Sequence, residues 1–282
     1  MKKHKMIESY NVVLILGILI MGIFICFSIA PDFFAPYNPK EMFKAWQGIS
    51  RDHILGTNDM GYDIFSEIVF ATSSTLIVGI ATAFFTLIIG TTMGILSGYL
   101  SGWKSEIINM IIDVFLLIPM LPMAVVVASY LGPGSKNIIL TIGFLAWCST
   151  AKAVRTKTRE LKQTSFVESL KVLKTPKIKI MFKHIVPNLK EIILARYILS
   201  ISSCMILEAS LSFIGLGDTT KATWGGMINF AYKRGGFAKG AYNWFLAPGI
   251  CITLCVLGFY CINYYFEKVD SKVIGKSQSY MD

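Results

Sequence analysis

The chain has 282 residues, of which 54% are hydrophobic and only 16% charged, with a mean hydropathy of +0.59. A water-soluble domain carries about 25% charged residues, and here the apolar residues gather in runs of roughly 20, long enough as helix to cross a ~30 Å hydrocarbon layer. That excludes a soluble globular enzyme, and the formal net charge of +10 does not indicate a nucleic-acid partner, because no domain-sized soluble basic region exists; topology in a lipid membrane sites the charge instead.

In chain order, Lys2, Lys3 and Lys5 precede an apolar run from Val12 to Ala30. Ser28-Ile29-Ala30 resembles a signal-peptide cleavage site, but the run is long for a signal core, so residues 1–30 are expected to be an uncleaved anchor helix. Residues 31–69 are polar and punctuated by Pro and Gly, an extracytoplasmic segment rich in acids (Asp32, Glu41, Asp52, Asp59, Asp63, Glu67). The second span is expected over about 70–97 and the third over about 106–131, interrupted by Pro119 and Pro122. A broken span is tolerated where neighbours or a water-filled cavity satisfy the freed carbonyls. Gly132-Pro133-Gly134 turns the chain into a fourth span over about 137–151. A basic loop, 152–190, leads to a fifth span over about 191–214. A Gly-rich loop, 215–243, precedes a sixth over about 244–266, which closes the membrane-spanning region 70–266. Residues 267–282 form a polar tail. With both termini cytoplasmic, nineteen of the 27 Lys and Arg fall on cytoplasmic segments, as the positive-inside rule requires. The expected class is an all-α, multi-pass membrane protein with six transmembrane helices.

Within the basic loop, Phe166, Val167, Leu170 and Leu173 recur at helical spacing, and Ser165 with Glu168 reads as a capping box. Thr175-Pro176 ends this helix, because the residue before proline leaves the α region. A second short helix places Ile178, Met181, Phe182 and Ile185 on one face and stops at Pro187. Two amphipathic helices in a basic loop between apolar spans point to a docking element on the cytoplasmic face. The alternative is an interfacial helix lying on lipid. Gly90, Gly94 and Gly98, four apart on the second span, let helix backbones approach closely. Asp113 and Glu208 are acids inside predicted spans, which is costly; each either lines a cavity or is internally paired, with Arg196 one possible partner for either. The six cysteines lie in apolar runs with no CxxC pair and read as small core residues. His53 and His184 fall on opposite sides of the expected topology, so no shared metal site and no cofactor are expected.

Several motifs carry a resemblance. His53-Ile54-Leu55-Gly56-Thr57-Asn58-Asp59-Met60-Gly61-Tyr62-Asp63, followed by Ser66-Glu67, lies in the outer segment. Gly98-Tyr99 with Gly102-Trp103 follows the second span. Leu207-Glu208-Ala209-Ser210-Leu211-Ser212-Phe213-Ile214-Gly215-Leu216-Gly217 and Trp224-Gly225 mark the fifth span and its loop, and Pro248-Gly249 opens the last span. Over about residues 30–270 the chain resembles permease subunits of the dipeptide/oligopeptide/nickel family of ABC importers. The basic loop is similar to that family's ATPase-coupling motif, E-A-A-x-x-x-G followed by H-I-x-P-N, at Glu168, His184, Ile185, Pro187 and Asn188. It departs from it where Ser169 and Leu170 replace the alanines and Lys174 replaces the glycine that turns the chain between helices. Tyr62 and Glu67 replace arginines of the outer motif.

The resemblance implies the type I ABC importer permease fold. It also implies a complex with two cytoplasmic ATPase subunits, a sister permease in a heterodimer, and an extracytoplasmic substrate-binding protein. The chain holds no G-x-x-x-x-G-K-[ST] loop, so it is expected to be non-catalytic, with ATP hydrolysis supplied by the partners. Helix 165–174 is expected to insert Phe166, Leu170 and Leu173 into an ATPase groove, and Lys174 to make the turn. ATP-driven closure then rocks the attached spans. Di- or oligopeptides are the expected cargo and nickel or a metal chelate the alternative. An ion-coupled secondary transporter would call for inverted repeats and unwound helix pairs, and a membrane enzyme for a nucleophile–base or metal grouping; neither pattern is present.

Overall fold

A computed structural model of the protein describes the backbone of residues 2–278 and the side chains of residues 10–267. The lysines at 2, 3, 5, 268, 272 and 276, which enter the charge bias, lie outside the described side chains, and the last four residues of the tail lie outside the described backbone. Among the described residues the chain is helical, with an isolated bridge between Thr57 and Asp63 in place of any sheet.

Helix α1 (Lys2–Ile29) is followed by one turn, α2 (Pro31–Phe34), and by an irregular segment to residue 63. Helix α3 (Ile64–Tyr99) starts at Asp63, whose carboxylate accepts from Ser66 N at 2.8 Å as an N-cap. Helices α4 (Trp103–Leu117) and α5 (Met120–Leu131) form a pair bent by 92° at their break. Pro119 makes the break: it lacks an N–H and holds Ile118 in extended backbone. Pro122 breaks nothing, because it sits in the first turn of α5, where an amide N–H has no intrahelical acceptor. Helices α6 (Ser135–Lys162), α10 (Lys190–Ile214) and α12 (Tyr242–Gln278) complete the spans. Among the described residues, five helices are long and apolar enough to cross a membrane, and the bent pair makes a sixth crossing if it counts as one span.

Helix α6 corrects the expected fourth span. It does not stop near residue 151 but continues to Lys162, so the first eleven residues of the expected loop are helical. The reason is periodic: Ala151, Val154 and Thr158 stay buried at helical spacing, while Lys152 and Arg159 point outward.

The spans share one large core in which α3 packs along α6, α1 along α12, and α10 on both α3 and α12. Helix α11 (Trp224–Lys233) plugs one end. Its Trp224 is fully buried, donates Nε1–H to Ile68 O at 3.2 Å and meets Phe24 edge-on at 5.2 Å. A second core closes the opposite, lysine-rich end. There Ile95, Tyr99 and Val154 of the spans meet Val167, Ile180, Met181 and Ile185 of the segment between α6 and α10.

Candidate coupling site and cavity

The segment between α6 and α10 is a compact two-sided element. Helix α7 (Ser165–Val172) is followed by one turn, α8 (Lys177–Lys179), a π-helical stretch Ile180–Ile185, and a last turn, α9 (Val186–Asn188). Thr164 is the N-cap position of α7, and its hydroxyl donates back to Leu161 O at 2.6 Å. Ser165 is therefore already helical, and the expected Ser165–Glu168 capping box does not form. Val167 is fully buried, and Leu170 is half-buried against the second core. Phe166, Val172 and Leu173 face away, at 40%, 81% and 74% exposure. The expected single stripe is thus split: Phe166 and Leu173 lie on the open face, whereas Val167 and Leu170 fasten the helix to the spans.

The second short helix is corrected in the same way. Met181 and Ile185 are buried together with Ile180, while Ile178 and Phe182 are 71% and 68% exposed. A π-helix adds a residue to the turn, so positions 180, 181 and 185 converge inward where an α-helical wheel would group 178, 181, 182 and 185. Pro187 does not end the structure either; it occupies α9, which leads into α10. Glu168 and Lys174 are exposed, and His184, half-buried, accepts through its carbonyl from Asn188 Nδ2 at 2.6 Å.

Lys174 makes the turn at φ 54, the left-handed region that favours glycine. Its N–H donates to Lys171 O at 2.9 Å and that of Thr175 to Leu170 O at 3.1 Å. This is a Schellman closure of α7 with lysine in the position where glycine is usual.

Gly90, Gly94 and Gly98 lie where α3 crosses α6. A Cβ on Gly94 would fall 2.7 Å from Ala151 O and from Val154 Cβ. Gly90 stands in the same relation to Thr150 and Trp147, and Gly98 to Thr158 and Arg155. Three successive turns are therefore in backbone contact, and the seam ends beside the second core.

Asp113 is exposed on α4 and interacts electrostatically with Arg155 of α6. Glu208 of α10 is buried; its Oε1 accepts from Ser212 Oγ at 2.7 Å, and among the described residues Oε2 has no hydrogen-bond partner nearer than the Thr223 hydroxyl, which lies close to the carboxyl. Neither acid pairs with Arg196, which among the described residues forms no ion pair or hydrogen bond. Arg196 instead lines a cavity of about 280 Å³ at the α4–α5 break, with Phe115, Ile118 and Met120 opposite and Ser149, Ser200 and Ser203 supplying hydroxyls. An arginine in a span is tolerated where it faces such a space. Asp113 lies one turn, and Arg155 two turns, beyond the lining residues Leu116 and Cys148 on the same helices.

At the far end the outer motif folds back on α3. His53 Nδ1 is 2.9 Å from Asp63 Oδ1, both buried, and the imidazole is held between Tyr37 and Phe43. Gly61, at φ 81, lets the backbone pass within contact of Phe43. Glu67 and Tyr62, the two departures from the arginine pattern, are both tied to Asn58: Glu67 Oε2 accepts from its Nδ2 at 2.8 Å, and Tyr62 N donates to its Oδ1 at 2.9 Å. Arg234, the C-cap of α11, reaches Asp59 at 3.3 Å, and Asn243 of α12 donates to Leu55 O, so the motif is stapled to the end of α11 and to α12.

These features define a polytopic helical membrane protein with a mostly apolar cavity, carrying one arginine and several hydroxyls, at a broken helix pair, and an amphipathic element packed on one end. Residues 90–269 match the family described as the binding-protein-dependent transport system inner membrane component, and the chain belongs to that family. It is 33% identical over 246 residues to the glutathione transport system permease protein GsiD of Pectobacterium atrosepticum, covering 84% of this chain and 81% of that one. Identity is 32% over 255 residues to the dipeptide transport system permease protein DppC of Alkalihalophilus pseudofirmus (88% and 82%). It is 31% over 250 residues to the oligopeptide transport system permease protein OppC of Bacillus subtilis (86% and 81%). The fold is that of a chain of the inward-facing MetNI methionine ABC transporter, with a TM-score of 0.56 over 74% of this chain and 96% of that chain at 16% identity.

Proposed function

We propose that the chain is the non-catalytic permease half of a peptide importer. It pairs with a sister permease and takes its work from two ATPases seated on the open face of α7 and the π-helical stretch. The observation that carries this is the two-sidedness of that element. Its inner residues belong to the same core as α3 and α6, so it moves with the spans, while Phe166, Val172, Leu173, Ile178 and Phe182 remain open on the outer side. Burying an exposed leucine or phenylalanine contributes about 1.5–3 kcal/mol, and five exposed apolar side chains within one short segment rich in lysines are the composition of a protein interface. On this reading the lysine-rich end is cytoplasmic, as are both termini, and segment 31–63 faces the binding protein. Asp113, exposed on a spanning helix, faces the sister permease across a wet pathway that includes the Arg196 cavity. Peptide is the cargo class because all three relatives are named for glutathione, dipeptide or oligopeptide transport.

The test is a double substitution on the open face, Leu173→Glu with Phe182→Glu. The purified chain should insert and melt as wild type, yet lose capture of its ATPase and lose peptide uptake by the reconstituted complex. Uptake that survives the double change overturns the docking assignment.

A further inference from the structure

A second groove lies beside the coupling element, at its junction with the spans, and encloses about 730 Å³. Four lysines from four separate stretches converge on it: Lys104 at the start of α4, Lys162 at the end of α6, Lys171 on α7 and Lys177 at the start of α8. Ser101 and Thr175 add hydroxyls, and among the described residues no carboxylate lines it. Lys171 and Lys177 both press electrostatically on the Lys162 ammonium. Glu106 and Glu168 line the adjoining pocket that shares Lys162 and Lys171, but neither reaches this groove, where the four like charges repel one another and favour an anion.

Two of the lysines are held in place. Lys162 Nζ donates to Ser101 Oγ at 2.7 Å and stands over the Tyr99 ring at 5.7 Å. Lys171 Nζ donates to Lys162 O at 3.1 Å. Lys104 lies over Trp103 at 5.7 Å. Trp103 also fixes the depth of the groove. It is 66% exposed and heads a stripe of exposed apolar residues on α4, Ile107, Met110, Ile111 and Val114, at helical spacing. An exposed tryptophan at the end of an apolar stripe marks the headgroup level of a bilayer, and basic pockets between spanning helices at that level recognise anionic headgroups.

We propose that this groove binds the headgroup phosphate of an anionic phospholipid. The phosphate then bridges Lys104 and Lys162 of the spans to Lys171 and Lys177 of the coupling element, stapling that element to the bilayer face. The proposal needs this end of the bundle to lie at a leaflet surface and does not depend on the ATPase assignment, so the two are tested apart.

The full chain in detergent micelles is titrated with phosphatidylglycerol or phosphatidylcholine and bound lipid is counted by native mass spectrometry. Wild type retains phosphatidylglycerol and not phosphatidylcholine. Lys104→Gln with Lys177→Gln, two exposed lysines, binds phosphatidylglycerol roughly thirtyfold more weakly. Lys183→Gln with Lys190→Gln, which removes the same charge outside the groove, binds as wild type. Equal loss in both double variants means bulk charge and overturns the site. Unchanged binding in the first variant overturns it as well, and displacement of the lipid by millimolar inorganic phosphate assigns the groove to a free anion and overturns the lipid.

Discussion

The turn at Lys174 gives a quantitative test of how the coupling element is held. A non-glycine residue in left-handed backbone costs about 1–2 kcal/mol, and Lys174 sits there at φ 54 to close α7. Lys174→Gly removes that cost but adds back chain freedom worth about 0.5–1 kcal/mol in the unfolded state. The net gain is about 1 kcal/mol, local to the turn. Lys174→Val moves the other way, because a β-branched residue at positive φ is more strained still. The reporter is the Thr175 amide, whose 3.1 Å bond to Leu170 O exists only while the turn is closed. In native-state hydrogen exchange of the reconstituted chain, Gly at 174 should slow exchange at Thr175 about fivefold and Val should speed it at least as much. Exchange rates that ignore the substitution, or the opposite order, refute the strained-turn account. Melting of the whole chain is a poor substitute, since opening α7 leaves the span core untouched.

Val167→Ala, which hollows the second core, should cost about 2 kcal/mol of stability, seen as a lower melting temperature. Leu173→Ala on the open face should leave melting unchanged and weaken ATPase capture about five- to thirtyfold. Gly94→Ala drives a Cβ to 2.7 Å from the Ala151 carbonyl and should destabilise by about 1–3 kcal/mol, whereas Gly22→Ala, with nothing within 4 Å, should be neutral or better; equal melting of the two removes the seam argument. Asp218 is held well below the usual carboxylate range, first by the Thr220 hydroxyl and then by the Ser135 hydroxyl. A depressed folded pKa means that its contribution is complete above the ordinary value of about 4 and is lost as pH falls through the lower, folded one. Asp218→Asn should therefore flatten the acid limb of a melting-temperature profile below pH ~4, and an unchanged limb rules the carboxylate out as its source.

The spans were legible because lipid leaves few options: long apolar runs must be helices, and the Gly90-Gly94-Gly98 period already located a close contact. Pro119 and Pro122 together located the break, though not which of the two makes it, since that depends on where α5 begins. The faces of the coupling element were not legible. Phe166, Val167, Leu170 and Leu173 form one arc on an ideal wheel, yet an eight-residue helix wedged between two other elements buries only the part that meets Tyr99, Val154 and Ile185. The π-helical stretch shifts the register again, and nothing in Ile180–Ile185 announces the extra residue. Lys162 and Lys171 read as scattered loop charge until α6 is seen to run on and bring them to one groove. The Arg196 pairing, one of the options the sequence left open, failed for a related reason: the sequence shows an arginine and two acids within spans, while the packing of α10 turns the arginine toward a cavity instead.

A lever passes on force only if it is stiffer than what it displaces. Here the inner face of α7 and the π-helical stretch share one core with α3 and α6, and those two helices are in backbone contact over the three glycine turns. Force on the open face therefore reaches α3 and α6 as one body. The α4–α5 pair is joined differently: it is bent by 92° at a proline that removes a backbone hydrogen bond, and the bend borders the cavity. The interruption of backbone hydrogen bonding thus lies at the cavity, although α4 still buries Ile112 against Trp147 and Ala151 of α6, and the shared second core lies under the open face. On the proposed reading, motion of α3 and α6 against the bent pair changes access to the Arg196 cavity without unfolding either.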